Sequence, residues 1–240
     1  MKLLISNQHG AIVMALLPFC YGVLLGNPVW AHLFLFFAWF SLYLMSYPLL
    51  NLFKPQLKDK QIYRRWTAIY AGASAVFSLP VLWFNRHVVF FGLAMLPFMA
   101  ISIHFTRTKN ERAMLNDLAG ILIFALAGMG AYYFSTNRLD WLMWQVAYLP
   151  TLFFIGVTLY VKSMLRERKN PRYYRASILF HCACVAIFLP WQNNALAWVF
   201  LPPLLRAVFL PHFKLSVKQV GLIEFVVSAL FLLMLVWGTL

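Results

Sequence analysis

Positive charge is concentrated in one short stretch of this 240-residue chain, residues 162–175, which read KSMLRERKNPRYYR. Its one acid is Glu167, and its cations are Lys162, Arg166, Arg168, Lys169, Arg172 and Arg175. Long apolar runs flank the stretch on both sides. A basic loop between two such runs belongs at a membrane surface, where arginine and lysine bind anionic groups. This stretch, called the basic segment below, is therefore predicted to face an anion.

Three further titratable residues, His181, Arg206 and Glu224, lie inside apolar runs rather than between them. With a helical rise of about 1.5 Å per residue, all three are expected roughly 9 Å below the same membrane surface. Because a polar group in lipid must be paired or hydrated, this shared depth predicts a common polar cavity. The alternative is that Arg206 extends to the headgroups, Glu224 pairs with a neighbouring lysine, and His181 binds a backbone carbonyl.

Other polar residues are predicted at the cytoplasmic ends of the spans. They are Gln8, His9, His104, Glu111, Asn116, Asp117 and Lys162. Together with Arg166 and Glu167 of the basic segment, they would line a cavity that opens to the cytoplasm. Acids where a helix begins also complement the helix dipole, which explains Glu111 and Asp117 without a ligand. Asp117 could alternatively hold a residue of the basic segment or a metal, but no spacing typical of a metal site occurs and none is assigned.

The composition indicates a membrane protein, because 63% of the residues are hydrophobic, 11% are charged, and the mean hydropathy is +0.75. A net charge of +14 would suggest nucleic acid binding in a soluble protein. Here the basic residues fall in short loops, where they set membrane topology. The expected partners are therefore membrane lipids and no nucleic acid. Aromatic residues at the ends of the spans are assigned to the membrane interfaces.

Apolar runs of about 17–25 residues predict roughly nine transmembrane helices in an all-α polytopic protein. The predicted spans are residues 11–26, 30–50, 66–84, 88–105, 118–134, 141–161, 176–190, 195–210 and 219–238. Residues 1–240 are thus predicted to form a single transmembrane domain. Pro202 and Pro203 are expected to break the eighth span, and Gly120, Gly128 and Gly130 to pack the fifth closely.

The basic residues also predict the orientation. All but three of the 20 lysines and arginines fall on one face of the predicted topology, the exceptions being Arg86, Arg138 and Arg206. By the positive-inside rule, the N-terminus is cytoplasmic and the C-terminus lies on the far side.

Three segments carry a resemblance to a known family. They are KLLISNQHGAIVMALLPFCYG near the N-terminus, NERAMLNDLAG in the middle, and KSMLRERKNPRYYRASILFH across the basic segment. The chain resembles the YwiC-like membrane proteins, a bacterial family, over essentially its whole length. The most specific positions are Gln8-His9-Gly10, Asn116-Asp117 and the run from Lys162 to His181. The resemblance implies a multi-pass protein of the bacterial cytoplasmic (inner) membrane.

A more distant likeness is to the UbiA superfamily of intramembrane prenyltransferases. Those proteins have nine helices and two acidic motifs, in the cytoplasmic loops after the second and sixth helices, that bind Mg²⁺ and a prenyl diphosphate. The first motif reads Asn, then Asp four and eight residues on, but here the positions are Asn51, Pro55 and Asp59. In the second loop, cations replace the acids and only Glu167 remains. Two Mg²⁺ ions need more carboxylates than these, whereas cations bind an anion directly.

The resemblance therefore implies a UbiA-like helical bundle whose diphosphate chemistry is lost or altered. The expected function is binding of an isoprenoid-like or other amphipathic anionic ligand in the cytoplasm-facing cavity. One alternative is a prenyl or lipid transferase that uses His9, Asp117 or Glu224 as acid or base with a single metal. Others are a small organic-anion transporter and a subunit of a respiratory or assembly complex. The sequence names no cofactor and does not decide whether the protein is an enzyme.

Overall fold

The computed structural model describes residues 4–5, 9–57, 59–190 and 195–240, and the regular secondary structure in these ranges is entirely helical. The predicted all-α class is therefore confirmed. The chain packs as two compact units, residues 1–147 (unit 1) and residues 148–240 (unit 2).

The helices of unit 1 follow the predicted spans, with differences in their bounds. They are α1 (His9–Leu25), α2 (His32–Leu52), α3 (Lys60–Phe84), α4 (Val89–Ala94), α5 (Leu96–Arg107) and α6 (Met114–Thr136), and α7 (Trp141–Val161) begins in this unit. Helices α1, α3 and α6 begin earlier than predicted, α2 begins later, and the predicted fourth span is divided into α4 and α5. A 3-10 turn, Arg86–Val88, leads into α4. Asn27 and Asn137 follow the ends of α1 and α6 and have positive φ values of 62° and 53°. Asparagine tolerates this conformation better than most residues.

Unit 2 contains the rest of α7 and three more helices among the described residues. After α7, Lys162–Arg166 form a π-helical turn, followed by α8 (Pro171–Phe188), α9 (Ala195–Phe209), the 3-10 turn Leu210–His212, and α10 (Val217–Thr239). Asn170 caps α8 by accepting the Arg172 N–H, and Pro171 occupies the first turn, where its missing N–H leaves no bond unmade. Ser216 and Gln219 form a capping box that starts α10.

Seven stretches of the described chain are long and apolar enough to cross a bilayer. They are His32–Leu52, Lys60–Phe84, Arg86–Arg107, Met114–Thr136, Trp141–Arg166, Ala195–His212 and Val217–Thr239. The two other predicted spans, the first and the seventh, correspond to α1 and α8. The apolar stretch of α1, Gly10–Leu25, is shorter than the seven, and α8 carries the polar residues Arg172, Arg175 and His181. The structure therefore fits a multi-pass membrane protein.

Helices α1 and α6 of unit 1 cross with their backbones in contact. A Cβ on Gly128 would lie 2.6 Å from the carbonyl oxygen of Pro18, and a Cβ on Gly22 would overlap the carbonyl oxygen of Gly128. This is the small-residue packing typical of membrane helices. Gly128 was predicted to pack closely, but Gly120 has nothing within 4 Å of a Cβ built on it, so that part of the prediction was wrong.

The core of unit 2 is built from phenylalanines of all four helices. Phe153 of α7 stacks on Phe231 of α10 with ring centroids 4.0 Å apart. Phe200 of α9 contacts both Phe231 and Phe188 of α8, at 5.3 and 5.4 Å. These aromatic contacts hold α7, α8, α9 and α10 side by side, which places their polar residues against one another.

Candidate functional site

The three titratable residues predicted at one depth meet inside unit 2. Arg206 Nη1 of α9 donates to Glu224 Oε2 of α10 at 2.6 Å. Arg206 Nη2 lies 3.3 Å from Nε2 of His181 on α8. All three side chains are buried, with Arg206 only 3% exposed. The shared depth inferred from the sequence thus corresponds to direct contact between three helices.

His181 is held in one tautomer by its two neighbours. Its Nδ1 lies 2.7 Å from the backbone carbonyl oxygen of Ser177, which can only accept a hydrogen bond. Nδ1 therefore carries the proton, and Nε2 is left to accept from the Arg206 guanidinium. In this arrangement the imidazole is neutral, and the charges of Arg206 and Glu224 cancel.

Tyr160 and Gly156 of α7 complete the surroundings of this group. The guanidinium carbon of Arg206 lies 4.4 Å from the centre of the Tyr160 ring, in cation–π contact. A Cβ on Gly156 would lie 2.7 Å from His181 Nε2, so the imidazole occupies space that only glycine leaves open. Arg206, Glu224, His181 and Tyr160 are called the buried cluster below.

The buried cluster leaves several polar atoms without a hydrogen bond among the described residues. These atoms are Nε of Arg206, Oε1 of Glu224, the Tyr160 hydroxyl and, beside His181, the Ser177 hydroxyl. An unpaired polar atom in a low-dielectric interior costs about 1–3 kcal/mol, so four in one place need an explanation.

An apolar layer adjoins the cluster on the side of the helix ends at Lys162, Leu210 and Val217. Its buried members are Met164, Ala207 and Val220, packed together with Tyr160. The partly buried Val161, Leu165, Leu210 and Leu215 pack against them. This layer lies on the side of the cluster where the basic segment begins.

The local helix geometry differs from one expectation. Pro202 and Pro203 were expected to break the eighth span, yet α9 is continuous from Ala195 to Phe209. The prediction of a break was wrong, since a proline removes one hydrogen bond without ending a helix whose neighbours hold it in place. Arg206 therefore projects from an intact helix.

The basic segment divides into a buried and an exposed part. Lys162 is buried in the π-helical turn that extends α7, whereas Arg166, Arg168, Lys169, Arg172 and Arg175 are exposed. None of these five exposed cations forms an ion pair within the described chain. Glu167 Oε2 instead accepts from the Asn170 side chain at 3.3 Å. Residues 165–171 line an open depression of about 500 Å³.

The predicted site residues of unit 1 lie at the ends of α5 and α6. Glu111 pairs with Lys54 at 2.9 Å, and the Asn116 side chain donates to the Glu111 carbonyl oxygen at 2.8 Å. His104 is exposed beside Phe105, and Asp117 lies in the first turn of α6. Gln8 and the side chain of His9 lie outside the described residues.

No group of three or more His, Cys, Asp or Glu side chains that could hold a metal occurs in the part of the chain that the structure describes. Asn51, the first of the three positions compared above with the prenyltransferase motif, donates to the Tyr47 carbonyl oxygen of its own helix at 2.8 Å. Asp59 immediately precedes α3 with a φ of 56° and makes no capping bond with its side chain.

Sequence reasoning missed a second set of polar contacts, at the end of α6 in unit 1. His32 Nε2 lies 3.0 Å from the carbonyl oxygen of Ala131, and Asn85 Nδ2 donates to that of Phe134 at 3.0 Å. Tyr132 donates to both carboxylate oxygens of Asp140 at 3.0 Å. His32, Asn85 and Asp140 are not among the site residues predicted from the sequence. The Phe134 carbonyl is one of the last four of α6 and has no partner inside the helix, which is the signal that could have identified Asn85.

The chain is similar to known proteins of one family. The family model described as "YwiC-like protein" matches residues 5–132. An uncharacterised protein of Haemophilus influenzae is 60% identical over 240 residues, which cover 100% of both chains. The uncharacterised protein YwiC of Bacillus subtilis is 36% identical over 237 residues, covering 97% of this chain and 96% of the relative. No solved structure matches the chain.

Proposed function

The chain belongs to the YwiC-like protein family, and we propose that it binds an amphipathic anionic ligand at the cytoplasmic face of the bacterial inner membrane. The anionic headgroup lies on the basic segment, and the apolar part of the ligand, isoprenoid-like or otherwise, lies along the helices in the bilayer. This is a binding function, with no chemical step assigned.

The set of exposed cations beside the depression carries this proposal. Five cations lie within ten residues of chain, directly after a helix long enough to cross a membrane. They repel one another unless an anion lies between them, and the nearby Glu167 is engaged by Asn170. Clusters of four to eight basic residues beside a membrane span are typical of binding sites for anionic lipids.

Arg206 is not part of the headgroup site in this proposal, although its charge made it a candidate. Its guanidinium already pairs with Glu224 at 2.6 Å. A second anion would leave a net negative charge among buried apolar side chains, which is unfavourable. Arg166 and Arg168, which border the depression and have no acidic partner in the described chain, are the better candidates.

The experiment compares lipids that co-purify with wild type and with two matched variants. Arg166→Ala/Arg168→Ala removes two cations of the basic segment, and Arg64→Ala/Arg65→Ala removes two exposed cations at the start of α3. Mass spectrometry of the extracted lipid measures the anionic amphiphile bound per protein. The first variant is expected to lose at least about tenfold, since each charged hydrogen bond contributes about 1.5–3 kcal/mol.

The control variant is expected to retain the wild-type amount of this lipid. Equal loss in both variants would mean that the lipid responds only to the total surface charge. Unchanged lipid in both would contradict the placement of the headgroup on the basic segment.

A further inference from the structure

The buried cluster of unit 2 has a pattern of unmet hydrogen bonds that specifies what it can bind. Arg206 Nε can only donate, and Glu224 Oε1 can only accept when the carboxylate is ionised. The hydroxyl groups of Tyr160 and Ser177 can do both. All four residues are more than nine-tenths buried, with exposures of 3%, 8%, 0% and 1% respectively.

The charge of the cluster limits the guest further. The Arg206 and Glu224 charges cancel, and the tautomer of His181 is neutral. A cation would meet the positive Arg206 Nε, and an anion would meet the negative Glu224 Oε1. Either would also add a net charge to a buried site, which carries a large desolvation penalty. The guest that satisfies these atoms is uncharged, and it must both donate and accept hydrogen bonds.

We propose that the buried cluster is a binding site for one small uncharged group that both donates and accepts hydrogen bonds, bridging Arg206 Nε, Glu224 Oε1 and the Tyr160 and Ser177 hydroxyls. A water molecule and the hydroxyl of a larger bound molecule share this chemistry. The site is distinct from the exposed cations of the basic segment, because the buried side chains of Met164, Ala207 and Val220 adjoin it on the side of the helix ends.

Gly156 is the positioning residue of this site. The imidazole of His181 fits against the bare Cα of Gly156, and it fixes Nη2 of Arg206 at 3.3 Å from Nε2. With Nη1 engaged by Glu224 and Nη2 by His181, the guanidinium is held with Nε as the one nitrogen that has no hydrogen-bond partner within the described chain. The site is therefore shaped by a glycine and a neutral histidine as well as by the charged pair.

Two conservative variants test the proposal without disturbing the ion pair. Tyr160→Phe and Ser177→Ala each remove one of the buried hydroxyls. If a guest is bound, each loses a hydrogen bond, and the Tm of the purified protein is expected to fall by about 2–4 °C. If no guest is bound, each variant removes an unmet polar atom, and the Tm stays the same or rises. A rise or no change in both would overturn the proposal.

The double variant and a control separate the site from general effects. Because one guest serves both hydroxyls, Tyr160→Phe/Ser177→Ala is expected to lose less than the sum of the single losses. Tyr173→Phe, a half-buried tyrosine of the same unit outside the cluster, is expected to leave the Tm unchanged. Fully additive losses would contradict a shared guest.

A structure of the wild-type protein in lipidic cubic phase, at a resolution that shows ordered water, distinguishes the two sources. An isolated peak within hydrogen-bond distance of Arg206 Nε and Glu224 Oε1 identifies water. Density that continues into a larger molecule identifies a ligand hydroxyl. In that case, the Tm differences between wild type and the two variants disappear after delipidation. Density at these atoms that belongs to another side chain of the protein, or no density at all, would overturn the proposal.

Discussion

Units 1 and 2 bury polar side chains in two different ways. At the end of α6 in unit 1, His32 and Asn85 bind backbone carbonyl oxygens, and Ser135 donates to that of Gly26. In unit 2, Arg206, Glu224 and His181 bind one another's side chains. The first set bonds to backbone carbonyls at or near helix ends. The second set has no helix end to complete.

The partner of a buried polar group therefore indicates its role in this protein. His32, Asn85 and Ser135 have no unpaired side-chain atom within the described chain, and their positions follow from the fold. The buried cluster retains unpaired donors and acceptors after its own bonds are made. A set that pairs with backbone stabilises the helices, whereas a set that pairs with itself and stays incomplete is the better candidate for binding.

The largest expected effect comes from removing one half of the buried ion pair. Arg206→Met leaves Glu224 charged and without its partner in unit 2, and it should lower the free energy of unfolding by about 3–5 kcal/mol. Unfolding in mixed detergent micelles, followed by tryptophan fluorescence, measures this loss. Arg206→Met/Glu224→Leu removes both charges and should restore most of it, because an apolar replacement of a buried pair is often neutral or better.

The double variant is the informative member of this set. A double variant as unstable as Arg206→Met alone would mean that the pair has further essential partners. The buried cluster would then be required for the stability of the helices, as the carbonyl-binding residues of unit 1 are, and the contrast between the two units would not hold.

A smaller loss is expected when the glycine beside His181 is filled. Gly156→Ala places a methyl group 2.7 Å from Nε2, so the imidazole must shift from its position beside Arg206. Overpacking of this kind typically destabilises by about 1–3 kcal/mol. The control is Gly221→Ala in the same unit, where nothing lies within 4 Å of the added Cβ. The same micelle assay measures both.

Removing the imidazole tests the cause of that loss. In Gly156→Ala/His181→Ala the steric conflict is gone, so the double variant should be more stable than the sum of the two single losses predicts. Strictly additive losses would show that Gly156 acts through the helix backbone rather than through His181.

The sequence predicted which ionisable residues form the cluster but not the residues that shape it. Depth in the membrane follows from counting residues along a helix, and this placed His181, Arg206 and Glu224 at one level. Tyr160 was assigned to a membrane interface because it lies near the end of a span, yet it is fully buried. Gly156 has no side chain, so nothing in the sequence linked it to His181.

The helix boundaries were likewise predicted only in part from the sequence. Hydropathy located the apolar parts of the helices, but α3 begins at Lys60 and α8 at Pro171, several residues before the predicted spans. Charged residues continue a helix when a cap starts it earlier, as Asn170 does for α8. The carbonyl contacts of His32 and Asn85 depend on which helix ends meet, which a single sequence does not specify.

For unit 1, Asn85→Ala tests whether the carbonyl contacts matter for stability. The variant removes the donor to Phe134 at 3.0 Å and the contact with Asn137 at 2.9 Å, leaving a buried carbonyl unmet. A loss of about 1–2 kcal/mol is expected in the micelle assay. Asn110→Ala, at an exposed asparagine of the same unit, should change stability little. If the lipid bound to the basic segment falls in Asn85→Ala while the fold is retained, the structural role assigned to this set is wrong.

The smallest effect is expected at the exposed ion pair of unit 1, which is the counterpart of Arg206 and Glu224. Lys54 and Glu111 are 2.9 Å apart, against 2.6 Å for the buried pair, but their side chains are 38% and 44% exposed. Water screens such a pair, so a double-mutant cycle with Lys54→Ala and Glu111→Ala should give a coupling of less than about 1 kcal/mol, weaker still in high salt. A coupling as large as that of the buried pair would show that Glu111, also predicted as a site residue, is held more rigidly than its exposure indicates.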